Sequence, residues 1–227
     1  ATTEVAREVV AVDAANGTGE MHFVANGTLS GSTDTDFYIY FGNTGASDYA
    51  NGDTYGSDNV WDSDYAAVYH LNEDGSTTTD AYRDSTVNTV NGTGISMTSS
   101  SDVAGKLGRS QNFDGNADAI SLGDNFDSVI AGTNKQFTLQ LWFNHDDLAS
   151  SGSLFAKNGD SNCSENNRNF NMSVRDDGNG RFLWYGTLTT STYRGFDSDP
   201  AFSAATWHSM VTTYNGTAAV GSRVNIY

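Results

Sequence analysis

Cysteine, basic residues and long apolar runs are all scarce in this chain of 227 residues. The one cysteine, Cys163, excludes an internal disulfide framework, and because no second cysteine or histidine stands at ligand spacing we expect a free thiol in a loop. No apolar run is long enough to span a membrane, so membrane insertion is not expected. The first residues lack the form of a signal peptide, so an export signal would have to precede residue 1.

The 11 lysine and arginine residues are outnumbered by 28 acidic residues, which gives a formal net charge of −17. The basic residues are scattered singly, whereas nucleic-acid binding requires a basic stripe that releases counterions from phosphate. Nucleic acid is therefore excluded as a partner. Glutamate is also rare, since 23 of the acids are aspartate and 5 are glutamate. Because aspartate favours turns over helices, this balance indicates β structure joined by acidic loops.

Short stretches of alternating polar and apolar residues recur along the chain, among them EVVAVD, GEMHFVA, DFYIYFG, FTLQLWF and HSMVTTY. They are separated by Asn-Gly, Asp-Gly and Gly-Asn pairs. Many short strands at spacings of roughly ten residues predict an all-β sandwich or jelly roll, with one short helical turn at residues 124–132. The Gly-, Asp-, Asn- and Ser-rich segment 42–64 predicts a linker or crossing segment. It would separate a partial N-terminal β unit, residues 1–41, from a larger domain, residues 65–227.

The stretch QNFDGNADAISLGD, residues 111–124, begins like a calcium loop, with polar residues at alternate positions from Asp114 to Asp118. An EF-hand requires Gly at the sixth position and Glu at the twelfth, between helices. Those positions hold Ala119 and Asn125. Because the flanking residues alternate as strands do, the sequence predicts a hairpin turn.

A calcium ion held by this turn is a further prediction. Calcium takes six to eight oxygen ligands, many of them backbone carbonyls, which Gly-rich turns supply. We expect Asp114 and Asp118 to be carboxylate donors, with Asp84, from the stretch YRDSTVN, as the third.

The stretch FTLQLWFN predicts a strand with two different faces. Residues 137, 139, 141 and 143 are apolar and would face the core, which leaves Gln140, Trp142 and Asn144 on the outer face. An indole between amides can stack on a sugar ring while the amides bond its hydroxyls. The alternative is that a loop or the N-terminal unit covers Trp142.

Three more residues are candidates for ligand binding. Tyr185 takes the outward phase of GRFLWYG, and Tyr193 and Arg194 fall in a predicted loop at the rim of a groove. The arginine could donate two hydrogen bonds to a ligand. The alternative for this pair is a solvated loop.

Several stretches, in order, resemble a LamG-like jelly roll of the concanavalin A-like lectin/glucanase superfamily over residues 65–227. They include YAAVYHLNEDG, GKLGRSQNFDGNADAISLGD, FTLQLWFN, FNMSVRDDGNGRFLWYG and WHSMVTTYNG. The residues before them are similar to a domain of unknown function that often precedes such jelly rolls in secreted bacterial and archaeal proteins. The resemblance implies a two-sheet antiparallel β-sandwich, outside the cell or at its surface, that binds a polysaccharide or cell-surface glycan.

The same resemblance implies that the jelly roll is truncated at its C-terminus. Family members usually continue beyond RVNIY with a further hairpin and strand. A missing strand exposes a sheet edge, so we expect self-association through that edge.

Catalytic residues of the kind used on this fold are not evident in the sequence. Its glycosidases place two carboxylates on one strand in a Glu-x-Asp-x-Glu pattern, whereas the five glutamates here are isolated. The histidines, His22, His70, His145 and His208, lack the residues that surround a lyase site, and we expect His70 and His208 to be packing residues. A non-catalytic carbohydrate-binding module is therefore favoured. The alternatives are a glycoside hydrolase or polysaccharide lyase of this superfamily and a structural adhesin segment.

Overall fold

Antiparallel strands make up nearly all the regular structure in a computed structural model of the chain. It describes residues 3–25, 27–130, 134–158, 168–185, 193–198, 201–219 and 221–227, which leaves Cys163 outside the described ranges. The chain forms two compact units, Ala1–Asn125 and Phe126–Tyr227. The predicted linker, residues 42–64, lies within the first unit, and the sequence-based division at residue 65 stays a prediction.

The first unit consists of short strands that pair two by two. Its strands are β1 (Arg7–Asp13), β2 (Thr18–Phe23), β3 (Thr93–Ile95), β4 (Asp102–Ala104), β5 (Arg109–Gln111) and β6 (Ala119–Ser121). The pairs are β1 with β2, β3 with β6 and β4 with β5, all antiparallel. Two short 3-10 helices, Ser57–Asn59 and Ser99–Ser101, lie between them.

Buried polar side chains outnumber buried apolar ones in the described part of the first unit. The buried apolar residues are Val60, Tyr82 and Met97. The buried polar residues are Glu8, Ser57, Asp84, Ser85, Thr86, Ser101 and Gln111. Buried polar groups require hydrogen-bond partners, and the Gln111 amide, for example, donates to the carbonyl of Glu73 at 2.6 Å. A polar network therefore holds this unit together.

The second unit is a two-sheet antiparallel β-sandwich, as the sequence predicts. Its elements are α1 (Asp127–Ile130), β7 (Gln136–Asn144), β8 (Gly152–Asn158), β9 (Arg168–Val174), β10 (Gly180–Tyr185), β11 (Tyr193–Asp197), β12 (Trp207–Asn215) and β13 (Val224–Ile226). One sheet has the strand order β11-β10-β9-β8 and the other β13-β12-β7. The helix α1 confirms the short helical turn predicted at residues 124–132.

Both sheets contribute to one apolar core in this unit. Phe170, Met172 and Phe182 of the four-stranded sheet and Met210 of the three-stranded sheet are fully buried within it. The ring of Phe170 lies 5.7 Å from that of Phe182 and 5.5 Å from that of Phe155, measured between centroids. Such close-packed aromatic pairs bury large apolar areas and stabilise the sandwich.

Three expectations about local structure are wrong. The turn at residues 113–118 does not join a hairpin, because β5 pairs with β4 and β6 pairs with β3. Residues 193–196, predicted as part of a loop at 192–196, belong to β11, which pairs with β10. Residues 37–41 (FYIYF) are exposed and outside any strand, with Phe41 92% exposed. Alternation predicts that a segment can be a strand, but a strand forms only where a neighbour accepts its hydrogen bonds.

No helix within the described ranges combines the length and apolar character needed to cross a membrane.

Candidate functional site

The outer face of the three-stranded sheet carries the predicted tryptophan. Exposure alternates along β7, so that the four apolar residues from 137 to 143 face the core while Gln140, Trp142 and Asn144 are exposed. Trp142 is 45% exposed. The alternation that the sequence predicts is therefore present, and the indole and the two amides share one face.

Within β7, β12 and β13 this face holds no charged side chain, and Arg223, directly before β13, borders it opposite Asn215. The strand register places Trp142 opposite Ser209, and Gln140 opposite Val211. The residues of the three strands on this side are Gln136, Thr138, Gln140, Trp142, Asn144, Trp207, Ser209, Val211, Thr213, Asn215 and Asn225. The residues that flank β13, Arg223 and Tyr227, pair with Asn215 and Val211 on the same side. Amides, hydroxyls and aromatic rings dominate this surface, which we call the neutral face. In a chain of net charge −17, its composition suits an uncharged polar ligand.

The other predicted ligand-binding residues lie on the four-stranded sheet. Tyr185 is opposite Tyr193 in the register of β10 and β11, and Arg194 is opposite Trp184. They therefore belong to a different sheet from Trp142. Their side chains fall outside the described part of the structure, so their role in ligand binding stays a prediction.

The turn predicted to hold calcium is exposed and closed by its own side chains. Asp114 Oδ1 accepts a hydrogen bond from the amide of Asn116 at 2.7 Å, and Asp118 Oδ2 accepts one from the amide of Asp114 at 3.1 Å. Gly115 and Ala117 have positive φ angles of 78° and 67°. The two carboxylates thus accept hydrogen bonds from backbone amides of the turn itself, and calcium binding there stays a prediction.

Asp84, the third predicted calcium ligand, is buried elsewhere in the first unit. It is 2% exposed, and each of its carboxylate oxygens accepts two hydrogen bonds. The donors are the amides of Val68, Thr86 and Val90 and the hydroxyl of Thr86, at 2.9 to 3.0 Å. Among the described residues, Asp84 is not grouped at metal-binding distance with Asp114 and Asp118. Its carboxylate organises the surrounding loops.

A cluster of one glutamate and two histidines, here called the Glu-His cluster, forms where His70 meets strand β2 of the β1-β2 hairpin. Glu20 and His22 are two residues apart on β2, so they share a face, and Glu20 Oε1 lies 3.0 Å from His22 Nε2. His70 stacks on His22 with ring centroids 4.8 Å apart and an interplanar angle of 24°. One potential ligand atom from each of the three lies within 4.8 Å of the others. Among the described residues, this is the one group of three with that spacing.

Glu8 supports the cluster from β1. It lies opposite His22 in the strand register and is 4% exposed. Its Oε2 accepts a hydrogen bond from Trp61 Nε1 at 2.8 Å and lies 3.1 Å from His70 Nε2. Burial alone raises the pKa of Glu8, but hydrogen bonds from His70, Ser85 and Trp61 outweigh it and lower that pKa to about 2. Glu8 is therefore an anion that accepts the Nε2 proton of His70.

A small cleft of about 200 Å³ opens beside Glu8. Its lining includes Glu73 and Arg83 as well as Glu8 and His70. Arg83 Nη1 lies 3.6 Å from Glu8 Oε1, so a cation also lies next to the buried carboxylate. Polar and charged side chains therefore line the cleft on this side of the cluster.

The backbone of Gly108 lies against the carboxylate of Glu20. A Cβ atom at position 108 would be 2.7 Å from Glu20 Oε2, and φ at Gly108 is +57°. Glycine adopts positive φ at little cost and has no Cβ to displace the neighbour. Gly108 therefore permits the observed position of the Glu20 carboxylate.

A family model described as the concanavalin A-like lectin/glucanases superfamily matches residues 114–227. The chain belongs to this superfamily. No curated protein and no solved structure matches the chain. The match extends from the turn before β6 to the last residue of the sandwich, so it includes the neutral face and confirms the resemblance drawn from the strand sequences. It does not address the domain of unknown function that residues N-terminal to the jelly roll resemble.

The Glu-His cluster lies outside the segment that matches the superfamily. Its members are at positions 20, 22 and 70, and none of them is among the ligand-binding residues predicted from the sequence. The one local signal is the Glu-x-His spacing within a predicted strand, which places both side chains on one face. The contribution of His70 depends on the tertiary fold, because His70 is 48 positions after His22 in the sequence.

His208 packs in the sandwich, as predicted. Its ring lies 5.8 Å from that of Phe143 and 4.9 Å from that of Phe202, measured between centroids. His208 therefore packs against these two rings near one end of β12, while its Nε2 lies 3.0 Å from the carbonyl oxygen of Ser203. His70 also packs, against His22, but its contacts with Glu8 place it in a polar cluster.

Proposed function

We propose that the jelly roll is a non-catalytic recognition module that binds neutral polysaccharide on the neutral face. The observation that carries this proposal is the exposed Trp142 between exposed amides on a sheet face whose residues within β7, β12 and β13 are uncharged. An indole stacks on the apolar face of a pyranose, and amides donate to and accept from its hydroxyls.

The charge of the chain favours a neutral glycan over an acidic one. Carboxylated or sulfated polysaccharides would be repelled by a protein of net charge −17. A neutral glucan or mannan meets no such barrier, and its hydroxyls match the amides and hydroxyls of the neutral face. Since such polymers are found outside cells, we place the module outside the cell or at its surface, as is typical of LamG-like domains.

The energetics predict weak binding to a single sugar. Stacking one indole on a pyranose buries on the order of 100 Å² of apolar surface, which contributes about 2 kcal/mol at about 25 cal/mol per Å². The entropy lost on association offsets much of this gain. Useful affinity therefore requires a polymer that spans several residues of the face, or several modules acting together.

The test is retention of the full chain on soluble polysaccharides in affinity gel electrophoresis. We expect a neutral glucan or mannan to retard the wild-type protein, and Trp142→Ala to remove the retardation while the melting temperature changes by a few degrees at most. Tyr38→Ala is the matched control, because Tyr38 is an aromatic residue of the first unit that is 68% exposed. It should leave the retardation unchanged.

Other outcomes would reject the proposal in distinguishable ways. Unfolding of Trp142→Ala would make Trp142 a packing residue, and equal retardation of both variants would move binding away from the neutral face. Preference for an acidic polymer would contradict the charge argument. Release of reducing sugar by the wild-type protein would instead support a hydrolase, and no retention on any glycan would favour an adhesin segment.

A further inference from the structure

The donor set of the Glu-His cluster differs from that of a calcium site. Two imidazole nitrogens and one carboxylate are the ligands typical of zinc and related transition metals, whereas calcium takes oxygen ligands almost exclusively. We propose that Glu20, His22 and His70 bind one divalent transition-metal ion, for which Zn²⁺ is the probe.

The spacing of the donor atoms is close to that of a tetrahedral site. Ligand atoms at zinc-bond distances lie roughly 3.3 to 3.5 Å apart around a tetrahedral ion. Glu20 Oε1 and His22 Nε2 are already 3.0 Å apart, and one donor of His70 lies within 4.8 Å of both partners. The donor atoms are therefore gathered at spacings close to those that one ion requires.

The two imidazole rings are also placed as two ligands of one ion would be. Two histidines on a tetrahedral zinc ion have ring centroids roughly 5 Å apart, and the centroids of His22 and His70 are 4.8 Å apart. The observed placement of the rings of His22 and His70 therefore fits two ligands of one bound ion.

Glu8 acts as the positioning residue for His70. Metal-binding histidines commonly donate their second ring N–H to a carboxylate, which fixes the tautomer and the ring orientation. Glu8 accepts from Nε2 of His70 at 3.1 Å, so Nδ1 keeps the lone pair in the neutral ring. A second hydrogen bond to the same oxygen, donated by the indole Nε1 of Trp61, holds Glu8 itself in place.

An ion can reach the cluster without unfolding of the hairpin. The side chains of Glu20, His22 and His70 are 19%, 32% and 13% exposed. Three protein ligands leave a fourth position for water in a tetrahedral site. The geometry is thus that of an accessible site with an open position.

The experiment is Zn²⁺ titration of the EDTA-treated full chain by isothermal calorimetry, with millimolar Ca²⁺ present to occupy diffuse acidic sites. We expect one Zn²⁺ per chain in the wild-type protein. His22→Ala and the isosteric Glu20→Gln should each weaken binding about tenfold or more, because one of three protein ligands is lost. His208→Ala, a histidine substitution in the second unit, should leave the affinity unchanged.

Replacement of Zn²⁺ by Co²⁺ gives a readout that does not depend on the variants. A tetrahedral site with nitrogen and oxygen ligands should give visible absorption bands in the wild-type protein, and added Zn²⁺ should remove them. Absence of these bands, equal Zn²⁺ affinity in wild type and Glu20→Gln, or full displacement of Zn²⁺ by Ca²⁺ would each overturn the proposal. The last outcome would assign the binding to the general acidity of the surface.

Discussion

In the described part of the second unit, eight buried apolar side chains form one continuous cluster, whereas in that of the first unit seven buried polar side chains accompany only three apolar ones. The strands differ accordingly, since those of the sandwich reach nine residues and four of the six strands in the first unit have three. Long strands present whole apolar faces to each other, while short ones leave loops whose polar groups need partners inside the fold. One chain can thus be stabilised by apolar burial in one unit and by hydrogen-bonded polar groups in the other.

The largest expected effect is the loss of an aromatic ring from the sandwich core. Phe170→Ala should lower the free energy of unfolding of the second unit by about 3 to 5 kcal/mol, since a fully buried ring is replaced by a cavity. Urea denaturation followed by circular dichroism measures this change. Phe41→Ala is the control, because Phe41 is 92% exposed, and a comparable loss there would contradict the contrast between core and surface.

Acid should weaken the first unit through Glu8. The pKa of Glu8 is about 2 in the folded chain against an ordinary value of 4.5, so its stabilising effect is complete above pH 4.5 and is lost as the pH falls towards 2. The loss should amount to roughly 3 kcal/mol. Hydrogen exchange of the β1-β2 hairpin between pH 5 and 2, in EDTA, measures it. Glu8→Gln should flatten the pH dependence, and an unchanged slope in that variant would show that other acids cause it.

Removal of the Asp84 charge tests the polar network more locally. In Asp84→Asn, one carboxylate oxygen becomes an NH₂ group that faces two hydrogen-bond donors, so we expect the first unit to lose roughly 2 kcal/mol. Thermal unfolding and hydrogen exchange of residues 65–92 would report the change. Asp64→Asn, at an exposed aspartate of the same unit, should change stability little. Equal effects of the two variants would mean that burial of Asp84 does not matter.

The smallest expected effect is that of calcium on the turn at residues 114–118. For the millimolar to tenth-millimolar affinities of extracellular calcium sites, 1 mM Ca²⁺ stabilises by roughly 0.4 to 1.4 kcal/mol. Melting curves in EDTA and in 1 mM Ca²⁺ should differ for the wild-type protein and coincide for Asp114→Asn. Superimposable wild-type curves would exclude the ion. A shift that persists in Asp114→Asn would place calcium elsewhere.

The sequence predicted the sandwich better than it predicted the first unit, for a physical reason. In FTLQLWFN the alternation of residue types determines which side chains face the core, and the exposure of Trp142 follows from it. In the first unit the strands are short, and pairing depends on contacts distant in sequence. For that reason the sequence predicts that the strands on either side of residues 113–118 pair with each other, whereas β5 pairs with β4 and β6 pairs with β3.

The candidate sites show the same limit. The neutral face could be predicted because its residues alternate within one strand. Asp84 was predicted to bind calcium because calcium prefers carboxylate oxygens. The sequence does not reveal the four hydrogen-bond donors that surround its carboxylate in the fold. The Glu-His cluster was missed because His70 reaches it only through the tertiary fold.

The residue type at position 108 in related chains would indicate whether the Glu-His cluster is maintained. Its positive φ angle alone would be compatible with asparagine or aspartate as well as glycine. The 2.7 Å approach of a Cβ atom to Glu20 Oε2 is a separate restriction, which asparagine and aspartate would also violate. If natural selection maintains only the turn, position 108 should vary among these three residues. If it maintains the carboxylate position, glycine should persist wherever the glutamate and both histidines persist, and should drift once any of them is lost.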